Sequence, residues 1–399
     1  MKKRFLIFNI ITWAVVIGLL ELVSFVIIKA KLGGDFDLAV QGGTTMIDSR
    51  YQVWQHPENY KSWSGKTNFN NFGFRHSKDL EVKPADNTVR IFFMGGSAAF
   101  GSQAMPGSEF LHISGQGEYD NSETITAHLE KKLSATYPQK KFEVINAATN
   151  WTRLHQQNLH YLRKIQSLHP DLIISMDGYN DANPIHSLNT WEDTEAIFES
   201  ELIGNLKHKI RGLFQNSNTA YLAAMLIFRS GESPGVDNER IEKYKKIKLP
   251  ENFEEELAAY SEKHKVEIEK SVSEYMKSIQ YFHSDLQIDN VPNLFLLQPM
   301  TILDTAKKMT DREQALLGYM YSRMEHQWFK IAFFRALEKR LVDWSTKTQA
   351  NFSTMHDVFK NTDGTIDAYS DYCHFTPKGN EQIADFLMQQ IAQRYPTLL

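Results

Sequence analysis

"TVRIFFMGGSAAFG" runs from Thr88 to Gly101. A short apolar run, Val89 to Met94, stops at two glycines, and a serine follows at once. Such a run, bounded by glycine, predicts a strand buried on both faces, as in a parallel sheet. The same sequence predicts a sharp strand-to-helix turn with the Ser97 hydroxyl displayed on it.

Reading outward, strand and helix alternate. "SETITAHLEKKLSATYP" places Ile125, Leu129 and Leu133 on one helical face and stops at Pro138. "KFEVINAA" predicts a second strand, "LHQQNLHYLRKIQSLHP" a helix and "DLIISMDG" a third strand. The alternation then gives way, from about residue 185 to 289, to charged helical sequence that reads as an insertion. "NLFLLQPM" resumes the sheet as a fourth strand, "RMEHQWFKIAFFRALEKRLVDWSTKT" is a helix, and "FSTMHDVF" is a weaker fifth strand. "TPKGNEQIADFLMQQIAQRY" closes the chain as an amphipathic helix. This order predicts an α/β fold with about five parallel strands.

The flanks complete the division. Residues 31–87 read as an irregular extracytoplasmic lead-in with short strands, whose aromatic residues either pin it to the core or stack on sugars. The N-terminus carries Lys2, Lys3 and Arg4, then an apolar run from Phe5 to Ile28 broken by Glu21. Its length and basic flank predict a transmembrane signal anchor over residues 1–30, with the N-terminus cytoplasmic and residues 88–399 outside the cytoplasm. A cleaved signal peptide is the rival, and its apolar region would be unusually long.

Composition excludes more than it assigns. With 399 residues and a formal net charge of -4, the chain has no recurrent basic stretch, so nucleic acid is not an expected partner. A single cysteine, Cys373, excludes a disulfide framework. No metal-ligand spacing and no phosphate-cradling Gly-rich motif is present, so neither a metal nor a cofactor is expected.

In open parallel sheets, ligands bind beyond the carboxyl ends of the strands. Ser97 follows the first strand, "NAATNW" (146–151) the second and "DGYND" (177–181) the third. "DYCHFTPKGN" (371–380) stands between the fifth strand and the last helix. A serine hydroxyl becomes a nucleophile when a base accepts its proton, and His374 suits that role. Asp371, three residues earlier, suits orientation of the imidazole. Backbone N–H groups at the turn and the Asn180 amide suit an oxyanion. Each piece alone is a common pattern. Their order, all after strands, makes the combination specific.

That combination resembles the SGNH/GDSL hydrolase family, over roughly residues 71–393. "NNFGFR" followed by "VRIFFMGGSAAFG" is similar to the first block of membrane-anchored bacterial members, and "DYCHFTPKGNEQIA" to the last. The resemblance implies a doubly wound three-layer α/β/α sandwich. It implies a nucleophile at Ser97, a triad completed by His374 and Asp371, and an oxyanion hole from Ser97, Asn180 and the second-block position, here Trp151. Two residues depart from the pattern: Gly96 stands where the named motif has aspartate, and Trp151 where the family has glycine. The implied activity is hydrolysis of an ester, such as O-acetyl groups on a surface glycan. Acyl transfer by the same triad, or a binding protein that keeps the fold, are the alternatives.

Overall fold

The computed structural model describes residues 2–32, 47–49, 53–60, 66–104, 116–182, 219 and 238–399. Five strands build the main sheet: β1 (Thr88–Gly95), β2 (Lys141–Asn146), β3 (Leu172–Asp177), β4 (Asn293–Leu297) and β5 (Phe352–Thr354). Their spatial order is β2-β1-β3-β4-β5 and every pairing is parallel. The order reverses between β1 and β3, the switch point beside which open α/β sheets bind their ligands at the carboxyl ends of the strands.

The helices are α1 (Lys2–Leu32), α2 (Ser97–Phe100), α3 (Ile125–Thr136), α4 (Leu154–His160), α5 (Asn238–Tyr244), α6 (Phe253–Lys263), α7 (Lys265–Ile288), α8 (Asp311–Tyr321), α9 (Trp328–Thr348) and α10 (Pro377–Arg394). Strand side chains alternate between two cores. Ile91 and Phe93 meet Leu129 and Leu133 of α3 and Leu387 and Ile391 of α10. Phe92 and Met94 meet Leu154 of α4, Ile279 and Phe282 of α7, and Phe333 and Leu337 of α9. The result is a three-layer sandwich with the sheet in the middle. Phe69 and Phe74 of the lead-in are buried in these cores, so its aromatic residues anchor it.

Of the stretch read as an insertion, residues 185–218 and 220–237 lie outside the described residues. Its later part is not peripheral: α7 buries Ile268, Val272, Ile279 and Phe282 in the core beside Phe295 of β4. The sequence reading also passed over α8, although "TDRE" (310–313) carries a capping box: Thr310 accepts from the Glu313 N–H, and Glu313 from the Thr310 N–H.

The expected membrane anchor is corrected. Residues 5–28 do lie in one helix, α1, but among the described residues no helix is long and apolar enough to cross a membrane. The apolar run is broken by polar side chains that the chain itself engages. Glu21 accepts from the Thr219 N–H at 3.3 Å, and the Ser24 hydroxyl, buried, donates to Thr219 Oγ1 at 3.3 Å. A carboxylate and a hydroxyl committed to protein partners do not make a lipid-facing surface. The single-pass topology, with its cytoplasmic N-terminus and membrane partner, loses its basis with that helix.

One buried cation ties the sheet to its surroundings. Arg90 on β1 is fully buried, pairs with Glu143 on β2 at 2.6 Å, and donates to the carbonyls of Leu168 at 2.7 Å and Val82 at 3.1 Å. Arg90→Met keeps the apolar stem but strands both carbonyls and Glu143. We expect it to lower the unfolding free energy by about 3 kcal/mol. Denaturant titration measures this, and a change below about 1 kcal/mol would show the network to be dispensable.

Candidate functional site

β1 ends at Gly95, and Ser97 opens α2, a helix of only four residues. At the first helical position its N–H has no intrahelical partner. The Ser97 Oγ lies 2.8 Å from His374 Nε2, and His374 Nδ1 lies 2.7 Å from Asp371 Oδ2. The second carboxylate oxygen of Asp371 accepts from the N–H groups of Cys373 and His374, both at 2.8 Å. All three residues are buried. The sequence-predicted serine, histidine and aspartate are therefore brought into one hydrogen-bonded line. With the Asp371 carboxylate accepting a hydrogen bond from Nδ1–H, Nε2 is left to accept from the Ser97 hydroxyl.

The electrostatics follow from burial and pairing. Burial alone would raise the Asp371 carboxyl, but the His374 charge and hydrogen bonds outweigh it and hold the pKa below the usual carboxylate value. Burial alone would lower His374, but the Asp371 carboxylate outweighs it and holds the imidazole well above its usual value. Burial pushes the Cys373 thiol up, so it is neutral and adds no charge to the pair. Asp371, Cys373 and His374 offer ligand atoms within 4.8 Å of one another. Both ring nitrogens of His374 are already engaged with Asp371 and Ser97, which leaves a metal no imidazole lone pair.

On the opposite side, Asn180 Nδ2 donates to the Thr152 carbonyl at 2.8 Å. A Cβ on Gly96 would stand 2.4 Å from that nitrogen. The first departure from the motif thus has a local reason: no side chain fits at position 96 while the amide lies there. The second departure is also structural. Trp151 has φ +64°, in the left-handed region that favours glycine. The turn is pinned to β1, because Thr149 N–H and Thr152 Oγ1 both donate to the Gly95 carbonyl, at 3.0 and 3.1 Å. The backbone keeps a glycine-like path while the indole stands 49% exposed at the rim. Among the described residues the Trp151 N–H finds no acceptor. The neighbouring Asn150, which opens the glycosylation sequon Asn150-Trp151-Thr152, is buried and accepts from the Ser102 hydroxyl at 3.0 Å, which leaves no room for a glycan.

Asp177 and Asp181 bracket the Asn180 turn. Burial, then the charge of Asp181, pushes Asp177 up to about 8, against hydrogen bonds from Ser175 and Gln157. Its two oxygens accept from Gln157 and Ser175, which ties the start of the turn to α4 and β3.

The Asp371–His374 loop is held by residues that the sequence reading did not single out. Gln298 and Thr301 follow β4: the Gln298 side chain donates to the Cys373 carbonyl at 3.0 Å and the Thr301 hydroxyl to the Asp371 carbonyl at 2.9 Å. From α8, Arg312 donates to the carbonyls of Tyr369 and Ser370, and Glu313 accepts from the N–H groups of Ala368 and Tyr369. The rule that found Ser97 and Asn180, position after a strand, also marks "QPMT" (298–301). Nothing local marks Arg312 and Glu313 as site-supporting.

Trp151→Gly keeps the N–H and removes the left-handed strain of about 1–2 kcal/mol, offset in part by the greater freedom of glycine in the unfolded chain. We expect a net stabilisation of about 0.5–1 kcal/mol, read as a higher melting midpoint. A lower midpoint would mean that the indole, not the Gly95 carbonyl, holds the turn.

No family model matches the chain, and no curated protein matches it. Among solved structures the chain is similar to Axe2, an acetylxylan esterase from Geobacillus stearothermophilus, at 12% identity and TM-score 0.36, over 77% of this chain and 96% of that one. It is similar to the acetyl xylan esterase AlAXEase at 12% identity and TM-score 0.34, over 76% and 100% of the two chains. It is also similar to a G-D-S-L family lipolytic protein from Desulfitobacterium hafniense DCB-2, at 8% identity and TM-score 0.34, over 75% and 98%. Likeness at this level carries no residue role from one chain to another. The chain's own parallel sheet, with Ser97 and the Asp371–His374 loop brought together at its carboxyl edge, is the α/β arrangement that the sequence resemblance led one to expect.

Proposed function

We propose that this chain is a serine ester hydrolase that removes small acyl groups, such as acetyl, from the hydroxyls of a carbohydrate. The observation that carries the reading is the unbroken line from Asp371 through His374 to Ser97, with bonds of 2.7 and 2.8 Å.

In this reading the Ser97 oxygen attacks the ester carbonyl carbon and His374 Nε2 takes its proton. Asp371 keeps the imidazole in the working tautomer and stabilises the imidazolium. The oxyanion is held by the N–H groups of Ser97 and Trp151 and by the second N–H of the Asn180 amide. Collapse breaks the ester C–O bond, and the proton on His374 passes to the leaving alcohol. Water then attacks the acyl-serine with His374 again as base, giving the free acid and restoring Ser97. The exposed indole of Trp151 at the rim offers a flat apolar face to a sugar ring.

Ser97→Ala and His374→Ala should each lower turnover of an activated aryl acetate by about 1,000-fold or more, and the double variant should lose little beyond either. Turnover unchanged in Ser97→Ala would overturn the reading. Acetyl appearing on an added sugar alcohol, with Ser97 still required, would change the acceptor to a hydroxyl and make the reaction a transfer.

The pH dependence has a definite sign. The Asp371 charge raises His374, so the free base needed for attack is lost as pH falls through that elevated value. Asp371→Asn removes the charge and leaves burial unopposed, which lowers the imidazole pKa. The acid limb of kcat/KM should therefore move to lower pH while its plateau falls. A limb that stays in place would show that Asp371 does not set the imidazole.

A further inference from the structure

Lys330 is the third residue of α9 and is partly buried. Among the described residues no carboxylate forms an ion pair with it, and its hydrogen-bond partner is the Tyr179 hydroxyl. Its Nζ stands 4.1 Å from the Tyr179 ring centre and 5.7 Å from that of Tyr372. The two tyrosine rings stack on each other at 5.4 Å and 29°. The Tyr372 ring lies 6.4 Å from the His374 imidazole.

The positions of the two tyrosines give the cluster its meaning. Tyr179 directly precedes Asn180, and Tyr372 directly follows Asp371. The two loops belong to chain segments about 190 residues apart, and the ring stack is a direct side-chain contact between them. Burying an ammonium without a carboxylate partner is unfavourable, and an apolar residue would serve the core better. The core face of α9 is already filled by Phe329, Phe333, Phe334 and Leu337. Desolvation holds the Lys330 pKa down to about 8, with the Asp371 carboxylate acting against it, so at neutral pH the ammonium is retained. A cation over aromatic faces is a fixing contact that strengthens as water is withdrawn from it.

We propose that Lys330 is a positioning residue, which through the Tyr179–Tyr372 stack holds the Asn180 loop and the Asp371–His374 loop in one register. This rests on the hydrolase reading of the same site. Charge on the carbonyl oxygen is met by Asn180 and charge on the imidazole by Asp371, so the two loops must keep their separation as both charges develop. A displacement of about 1 Å between such groups can cost 100-fold in rate.

The test uses the full chain and an aryl acetate. Lys330→Met keeps the length and apolar stem of the side chain and removes the charge. We expect kcat about 10- to 100-fold lower, KM within threefold and an unchanged or higher melting midpoint. Tyr179→Phe keeps the ring and removes the hydroxyl that accepts from Lys330. It should give a similar loss, and the double variant should be no worse than the weaker single. A Lys330→Met enzyme with kcat within twofold of the parent, or losses that multiply in the double variant, would overturn the proposal. The downfield Nδ1–H proton resonance of His374 provides a readout without substrate: it should shift or broaden in Lys330→Met, and an unmoved resonance counts against the role. An inactive parent, by contrast, overturns the hydrolase reading and leaves the resonance as the test of positioning.

Discussion

The hydrogen bond between Ser97 Oγ and His374 Nε2 joins residues 277 positions apart in the chain. It forms only when β1 and the last loop lie on the same edge of a finished sheet. Ser97 is placed by a strand buried on both faces, whose pairing with β2 and β3 fixes where it ends. His374 has no strand to place it. Its loop runs between β5 and α10, and its backbone polar groups need partners from elsewhere. Gln298, Thr301, Arg312 and Glu313 supply them. The buried Lys307–Glu313 pair anchors that support from behind, with both side chains fully out of water.

The acceptor side of the site is built under a tighter steric constraint. The Asn180 amide lies over the backbone at Gly96, and its donor contact to Thr152 couples it to the turn that carries Trp151. The two departures from the family pattern thus sit on either side of one side-chain amide. Glycine at 96 leaves the amide its place. Tryptophan at 151 is carried through a left-handed turn because two hydrogen bonds to the Gly95 carbonyl fix that turn. Strain of this kind persists where the surroundings over-determine the backbone.

Burial of charge recurs around the site and has different outcomes at each point. Arg90 is matched by Glu143 and two carbonyls, and serves the sheet. Asp177 is pushed up to about 8 and is held by Ser175 and Gln157. Lys330 keeps its charge against two aromatic rings. What separates these cases is the partner available, since desolvation acts on all three.

Much of the layout was legible in the sequence. Short, largely apolar runs marked four of the five strands clearly, those of β1 and β3 ending at glycine and aspartate, because a strand buried on both faces shows little polar alternation. The position after each strand then marked Ser97, Asn180 and the Asp371–His374 pair. The N-terminal segment misled, because hydropathy counts residues along a helix and cannot see that Glu21 and Ser24 engage Thr219, far along the chain. Tertiary structure alone decided the rest: the glycine-like φ of Trp151, the amide over Gly96, the α8 clamp and the Lys330 cluster. Each is a contact between segments distant in sequence, and local periodicity carries no record of which distant side chain will fill a given space.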